Sequence, residues 1–583
     1  MPHQIKSLFG PTRRLVSIVS MSLLFAACAG ASVDADSDSP PTAGRTLSGN
    51  YLAGRHAQAE GDMDTASVYL RAALAMAPAQ GDLVKRTFLV YLSDARYEDA
   101  FDLAEDILVA FPDDVFAALA LISRDLRAGN FAAARQRLNN TPGEGINIYL
   151  TPLLMAWSHS GEDDLDAAMA ALAPLQSQGT TMLHNAHAAL IQARAGNTAE
   201  AEKLFGALVE EQGGLSLRTT DLLGTLYEKT GKLEKAIALY NGFRSDNGET
   251  RIVDMLLERA NGQEELDGPY MTAAEGAAEA MLDLTGSLRQ QNAYESALLL
   301  ARLGLYLRPS FPTFELITGS ILEDIGRYAD ANTIYADIDA DSAYAWNAQL
   351  RIATNLDTMG ETDEAISTLR HMAEVDTSDA GPLIDLGDVL RSADRFTEAV
   401  QAYDEAFNRL PDSSLEGYWT LYYARGIALE RSKNWERAES DLLQALEYQP
   451  DQPYVLNYLG YTWIEKRMNL DRAKDMVRKA VNLRPHDGYI VDSLGWVYYQ
   501  LGDYENAVAE LERAVELRPE DPLINDHLGD AYWRVGRHRE ARFQWHRSLN
   551  LDPEPENIDT VRDKIENGMT APALANGNGG NDS

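Results

Sequence analysis

Prolines recur along this chain at a spacing that leaves few folds open. Pro78 and Pro112 lie 34 residues apart, and Pro411, Pro450, Pro485, Pro519 and Pro553 follow one another at 39, 35, 34 and 34. A proline cannot continue a helix and turns the residue before it away from helical angles, so each one closes a unit. An alanine keeps the same period, at Ala66, Ala100, Ala134, Ala168, Ala201, Ala236, Ala297, Ala331, Ala365, Ala399, Ala438, Ala473, Ala507 and Ala541. Self-similarity at a period of roughly 20 to 50 residues marks a solenoid, in which each unit packs only on its neighbours. The length of 583 residues therefore sets no domain count.

Between the prolines the residues resemble the tetratricopeptide repeat, whose pattern is Leu-Gly-x2-Tyr, then Ala-x3-Phe, then Pro. Leu494-Gly495-x2-Tyr498 is followed by Ala507-x3-Leu511, Ala514 and Pro519; Leu528-Gly529-x2-Tyr532 is followed by Ala541-x3-Trp545 and Pro553. Leu459-Gly460-x2-Trp463 with Ala473, Ala480 and Pro485 is a third copy, carrying one inserted residue. The resemblance implies an all-α, right-handed α-solenoid of about fourteen tandem helix hairpins. Glycine on the first helix and alanine on the second allow close approach, and the large residue after the alanine fills the space beside them. Gly231, Gly326 and Gly502 stand where the turn between the helices needs a left-handed residue.

The alanine period breaks once, between Ala236 and Ala297, where 249–262 reads as an extra helix and 263–268 as a linker, so two sub-arrays joined there are expected. The full division is a signal peptide (1–27), an anchoring cysteine with a flexible tether (28–49), a first array (50–248), the extra helix and linker (249–268), a second array (269–555), a capping helix (556–568) with Val561 and Ile565 facing the last repeat, and a low-complexity tail (569–583).

The chain has a single cysteine, Cys28, so no internal disulfide can form. Lys6, Arg13 and Arg14 precede an apolar stretch from Leu15 to Ala27, the form of a secretory signal peptide. The stretch is short of the roughly 20 residues that span a bilayer. Leu24-Phe25-Ala26-Ala27-Cys28 resembles a bacterial lipoprotein signal, although Phe25 departs from the usual leucine. That likeness implies acylation of Cys28 and, with Ala29 rather than aspartate next, an outer-membrane, periplasm-facing location in a Gram-negative bacterium. A plain signal peptide cleaved after an alanine is the alternative. Residues 29–49, rich in Ser, Asp, Pro, Ala and Gly, read as the tether.

Against 51 Lys and Arg stand 89 Asp and Glu, a net charge of −38 that repels phosphate backbones and argues against nucleic acid as a partner. The basic run Arg534, Arg537, Arg539, Arg542 reads as a solvated face. No catalytic constellation has credible spacing: there is no Gly-x-Ser-x-Gly elbow or Gly-x4-Gly-Lys loop, and His184 and His187 have no ligand partners at metal spacing and read as surface or half-buried. The chain is thus expected to be no enzyme and to need no metal or cofactor.

The expected function is to hold proteins or peptides. Leu494, Tyr498 and Leu501, like Leu528, Tyr532 and Val535, form core stripes at helical spacing. On another face of the same helices lie Asn457 and Tyr461, then Asp492, Trp496 and Tyr499, then Asp526, Asp530 and Trp533. These match positions that line the peptide groove of tetratricopeptide domains, while Trp496 and Trp533 could equally pack between repeats. Because Asn457, Asp492 and Asp526 stand where a carboxylate clamp has Lys and Asn, a clamp is disfavoured. The body from Asn50 to Gly568 resembles outer-membrane lipoproteins with tetratricopeptide arrays, including adaptors of carboxyl-terminal processing proteases. Such a scaffold would tether a periplasmic protease and its substrates; a scaffold for polysaccharide export, pilus or secretion machinery is the alternative.

Overall fold

The computed structural model describes residues 42–569 apart from 178, 248–250, 263–265, 267–269 and 552. The signal peptide, Cys28, most of the tether, most of the 263–268 linker and the tail beyond Met569 lie outside the described residues. Among the described residues there are thirty α-helices and no strand. In chain order they are α1 (Leu47–Ala59), α2 (Met63–Met76), α3 (Gly81–Ser93), α4 (Tyr97–Ala110), α5 (Val115–Arg127), α6 (Phe131–Asn140), α7 (Asn147–Gly161), α8 (Leu165–Leu172), α9 (Thr181–Arg194), α10 (Thr198–Gln212), α11 (Leu217–Lys229), α12 (Leu233–Asn247), α13 (Arg251–Gly262), α14 (Ala273–Gln290) and α15 (Tyr294–Leu307). The remaining fifteen are α16 (Pro312–Asp324), α17 (Tyr328–Ala336), α18 (Ala345–Met359), α19 (Thr362–Val375), α20 (Gly381–Ser392), α21 (Phe396–Arg409), α22 (Trp419–Arg431), α23 (Trp435–Tyr448), α24 (Pro453–Glu465), α25 (Leu470–Leu483), α26 (Gly488–Gln500), α27 (Tyr504–Leu517), α28 (Pro522–Arg534), α29 (His538–Asn550) and α30 (Pro555–Asn567).

These are tandem helical hairpins, and their chemistry repeats. Each of the fourteen period-marking alanines is the fourth residue of its helix, and every one is 0% exposed. A glycine on the partner first helix lies under the residue sixteen places on: Gly224 under Tyr240, Gly319 under Tyr335, Gly387 under Tyr403, Gly495 under Leu511 and Gly529 under Trp545. A Cβ at any of these would come within 3.0 Å of that side chain, so only glycine lets the two helices close. In the copy with one inserted residue the spacing becomes seventeen, Gly460 meeting Val477.

The turn inside the hairpin takes the left-handed conformation five residues before the alanine, at Gly231, Gly326 and Gly502 as expected. Six turns do this without glycine, at Ala95, Asp163, Asn292, Asp394, Lys433 and Arg467, the last six residues ahead because of the insertion. An L-residue held there costs roughly 1–2 kcal/mol, which the packing on either side offsets.

The chain divides into two compact units between Glu361 and Thr362, not at 249–268 where the sequence expectation put the joint. The path of the chain after the extra helix is the reason. In the first unit α13 packs on α12, adding Val253, Leu256, Leu257 and Ala260 to a core around Tyr240 and Phe243. The chain then reverses, and the α14–α15 hairpin lies against α3, α5, α7 and α9, the first helices of four earlier pairs. Where they are covered these helices are buried nearly all round: α5 buries Ala117 to Ser123 without a break, as a helix enclosed in a core does. Ala277, Met281, Leu300 and Leu303 are fully buried in the core they share. In the second unit, by contrast, the main contacts run only from each helix to the next one or two along the chain.

Candidate functional site

The eight inner-face residues expected to line a groove all lie in the second unit, on α24, α26 and α28. Stacking these helices brings them together, and most of them are consumed in the stacking. Asn457, Asp492, Trp496, Asp526 and Asp530 are all buried, while Tyr461, Tyr499 and Trp533 are half-buried.

The polar residues form a ladder from one repeat to the next. The Asn457 amide donates to Ser493 Oγ at 3.2 Å. His527 Nδ1 donates to both carboxylate oxygens of Asp492, at 2.9 and 3.1 Å. Lys564 Nζ, on the capping helix, lies 2.8 Å from Asp526 Oδ2 and 2.9 Å from Asp530 Oδ2. In each rung a residue on one first helix grips the helix that comes after it in the stack. Asn457, Asp492 and Asp526 thus link successive first helices, and the last of these to α30, through buried hydrogen bonds.

The aromatics obey the same logic. Trp496 Nε1 donates to Glu465 Oε1 of the preceding pair at 2.8 Å, and its ring lies between Tyr499 and His527, with centroids at 4.7 and 4.0 Å. Trp533 stacks on His538 and donates to the Met569 carbonyl at 3.0 Å. Trp496 thus packs between repeats, whereas Trp533 packs on α29 of its own hairpin and bonds the segment after α30. Tyr461 differs. It is half-buried and its hydroxyl has no hydrogen-bond partner among the described residues, while burial, reinforced by Glu465 and Asp492, holds its phenol well above the usual range.

Electrostatics concentrate at the last rung. Burial, the neighbouring Asp526 and the opposing pull of Lys564 leave the Asp530 carboxyl pushed up to about 6. Burial works against a charged His527, but the carboxylates of Asp492, Asp526 and Asp530 outweigh it and raise its pKa. Its Nε2 is buried without a partner. His527, Ser493, Glu465 and Lys564 were missed in sequence because each looks ordinary alone; the signal was their offset of about one repeat from Asp492, Asn457, Trp496 and Asp526.

Away from this face, the first unit contains a cavity of about 730 Å³ between α11, α13, α14 and residues 341–344. Its arginines are already engaged, Arg218 by Asp221 and Glu279 and Arg308 by Glu279. His184 and His187, read from sequence as surface or half-buried, are buried. His187 Nδ1 accepts from Trp157 Nε1 at 3.0 Å and its Nε2 faces Asp283 at 3.2 Å, a structural relay across the packing of α14 on α7. The basic run is partly committed, with Arg534 to the Tyr499 hydroxyl, Arg537 to Glu512 and Glu540, and Arg542 to the Ile565 carbonyl.

Comparison with known proteins identifies the repeat. Residues 495–536, which run from the glycine of α26 to the turn after α28, match a family model described as a TPR repeat. No curated protein sequence matches the chain. Among solved structures, the chain is similar to the APC/C hetero-tetramer Cut9–Hcn1, at 15% identity and TM-score 0.38, over 90% of this chain and 97% of that one. It is also similar to yeast Tom70, at 13% identity and TM-score 0.34, over 89% and 95% of the two chains. A TPR protein with an unusual peptide-binding site, YrrB, matches at 19% identity and TM-score 0.27, over 33% of this chain and 97% of its own.

Proposed function

We propose that the protein is a non-enzymatic scaffold that holds a protein or an extended peptide on the inner face of its second unit, and that Cys28 tethers it by acyl chains to the periplasmic side of an outer membrane. The observation that carries the reading is Tyr461. It and Tyr499 are half-buried aromatics on neighbouring first helices, α24 and α26. The Tyr461 hydroxyl has no partner among the described residues, although the side chains around it are hydrogen-bonded to one another. Flat, rigid aromatic area with a spare polar tip is what a bound main chain exploits at small entropic cost.

The partner proposed is a carboxyl-terminal processing protease of the periplasm together with its substrates, on the strength of the family resemblance of the 456–551 region. Capture from detergent-solubilised membranes with the full-length chain tests this. The expected result is retention of such a protease by the natural chain and its loss on Tyr461→Ala. Recovery of export or pilus components with no protease would replace the partner; equal capture by Tyr461→Ala would remove the site. Labelling with a radioactive or clickable palmitate should tag the natural chain and not Cys28→Ser.

A further inference from the structure

The last repeat offers three inner-face residues, Asp526, Asp530 and Trp533, and a short segment of the same chain occupies all three. Lys564 Nζ bonds both carboxylates, the Met569 carbonyl takes the Trp533 indole proton, and Gly568 lies so close over the Trp533 ring that a Cβ would meet it at 2.2 Å. Arg542 Nε adds a bond to the Ile565 carbonyl at 3.1 Å. A cap that only covered apolar surface would need none of this.

The apolar grip of α30 is narrow by comparison. Val561 is 1% exposed and Ile565 is half-buried, whereas Arg562, Asp563, Glu566 and Asn567 face solvent. The neighbouring hairpin α28–α29 buries Ile524, Leu528, Ala531, Ala541 and Trp545 almost completely. Regions with few buried apolar contacts open at lower free energy than the rest of a protein. An opened α30 would leave two buried carboxylates side by side without the ammonium that bonds both, Asp530 keeping the Trp545 indole at 3.0 Å and the pair keeping His527 as a neighbour, a state that selects for a replacement positive charge.

We propose that α30 is an internal ligand: it fills a docking site for an amphipathic helix that carries a lysine beside an aliphatic residue, in the pattern Val-x-x-Lys-Ile, and a partner helix of this kind displaces it. This rests on reading the inner face of the second unit as a protein-binding surface, and it supplies the chemistry of one partner. The chain's own occupant defines that chemistry: an ammonium for Asp526 and Asp530, two aliphatic side chains for the seam, and a free carbonyl for the Trp533 indole. Competition with α30 lowers the apparent affinity by the fraction of chains in which the site is open, so binding is held in check until the partner is abundant or α30 is weakened.

The test uses the full-length chain and a fluorescent peptide of residues 554–569, read by anisotropy. The Lys564→Met chain is expected to bind this peptide at least tenfold more tightly than the natural chain does. A peptide carrying the same Lys564→Met change should not bind it. Adding Asp526→Asn and Asp530→Asn to the Lys564→Met chain should weaken binding of the natural peptide tenfold or more. Hydrogen exchange of the natural chain gives an independent reading, since the amides of α30 should exchange at least tenfold faster than those of α28 and α29. Exchange of α30 as slow as α28, or a folded Lys564→Met chain that ignores the peptide, would make α30 a permanent cap and overturn the proposal. A natural chain that dimerises in light scattering, with Lys564→Met monomeric, would assign the site to α30 of a second copy and overturn it in that direction. Tyr461 makes no contact with α30, so failure of peptide binding here with Tyr461-dependent capture intact removes this inference alone.

Discussion

The two units are built from the same hairpin and treat its inner face differently. In the unit ending at Glu361 the first helices α3, α5, α7 and α9 are covered by the chain's own α14–α15 hairpin, with Trp157 sealed at 0% exposure against Gly276. In the unit beginning at Thr362 the corresponding helices α24, α26 and α28 carry a polar ladder and half-buried tyrosines, and no later hairpin folds over them in the main contacts. The shared alanines and turns make a hairpin; the side chains on the inner face decide whether a later hairpin of the chain covers it. One hairpin plan can therefore yield a covered face in one unit and an uncovered one in the other with no change of backbone plan.

This contrast can be broken most severely in the first unit. Trp157→Ala removes the ring that α14 closes upon and is expected to cost about 3–5 kcal/mol, as large core truncations do. Hydrogen exchange should show lost protection in α7 and α14 with the unit after Thr362 unaffected; spread into that unit would contradict the division at Glu361. The matching lesion in the second unit is Asp492→Ala, which leaves His527 buried beside an empty position and should cost about 1.5–3 kcal/mol. Loss of protection there should centre on α26 and α28.

A smaller effect comes from pH. A folded-state pKa raised above the unfolded value contributes stability that is present below the unfolded value and lost as pH rises through the folded one. For Asp530 that window runs from 3.8 to about 6, and for His527 it begins at 6.5 and extends upward. Relative to Asp530→Asn, the natural chain should therefore lose stability in thermal melts across the first window, and relative to His527→Gln across the second. An unchanged difference across both windows would mean that neither group is held by these neighbours.

The smallest expected effect concerns what the units share. Ala95→Gly in the first unit and Lys433→Gly in the second relieve a left-handed residue in equivalent turns, and each should stabilise its unit by about 1 kcal/mol. Equal gains would confirm that the turn is independent of how the inner face is used; a gain in one unit only would show that packing of the inner face reaches the turn.

Much of the hairpin was legible in the sequence because it rests on short-range requirements. A small residue at a helix crossing, a large one sixteen places on, and a left-handed turn between them are local and recur, so fourteen alanines could be placed before any helix was seen. The turns at Ala95, Lys433 and Arg467 were not legible, since these residue types carry no left-handed preference, unlike the Asp163, Asn292 and Asp394 of the other three, and are held there only by what surrounds them. The candidate face was half legible. Its residues were found, and they do come together, but their direction was not: a polar residue two positions off the core stripe can face a groove or the next repeat, and periodicity does not distinguish the two.

Sequence alone therefore determined the all-α hairpin, its period, the position of each crossing and the existence of two helices outside the pairing. Tertiary structure alone decided that α14 and α15 return to close the first unit, that the chain divides after Glu361, and that Asp492, Asp526 and Asp530 are bound to His527 and Lys564. The physical reason is range. Helix crossing and turn geometry are set within one repeat, whereas the choice between a partner, a neighbouring repeat and a returning hairpin depends on which surfaces, distant in sequence, compete to remove the same side chains from water.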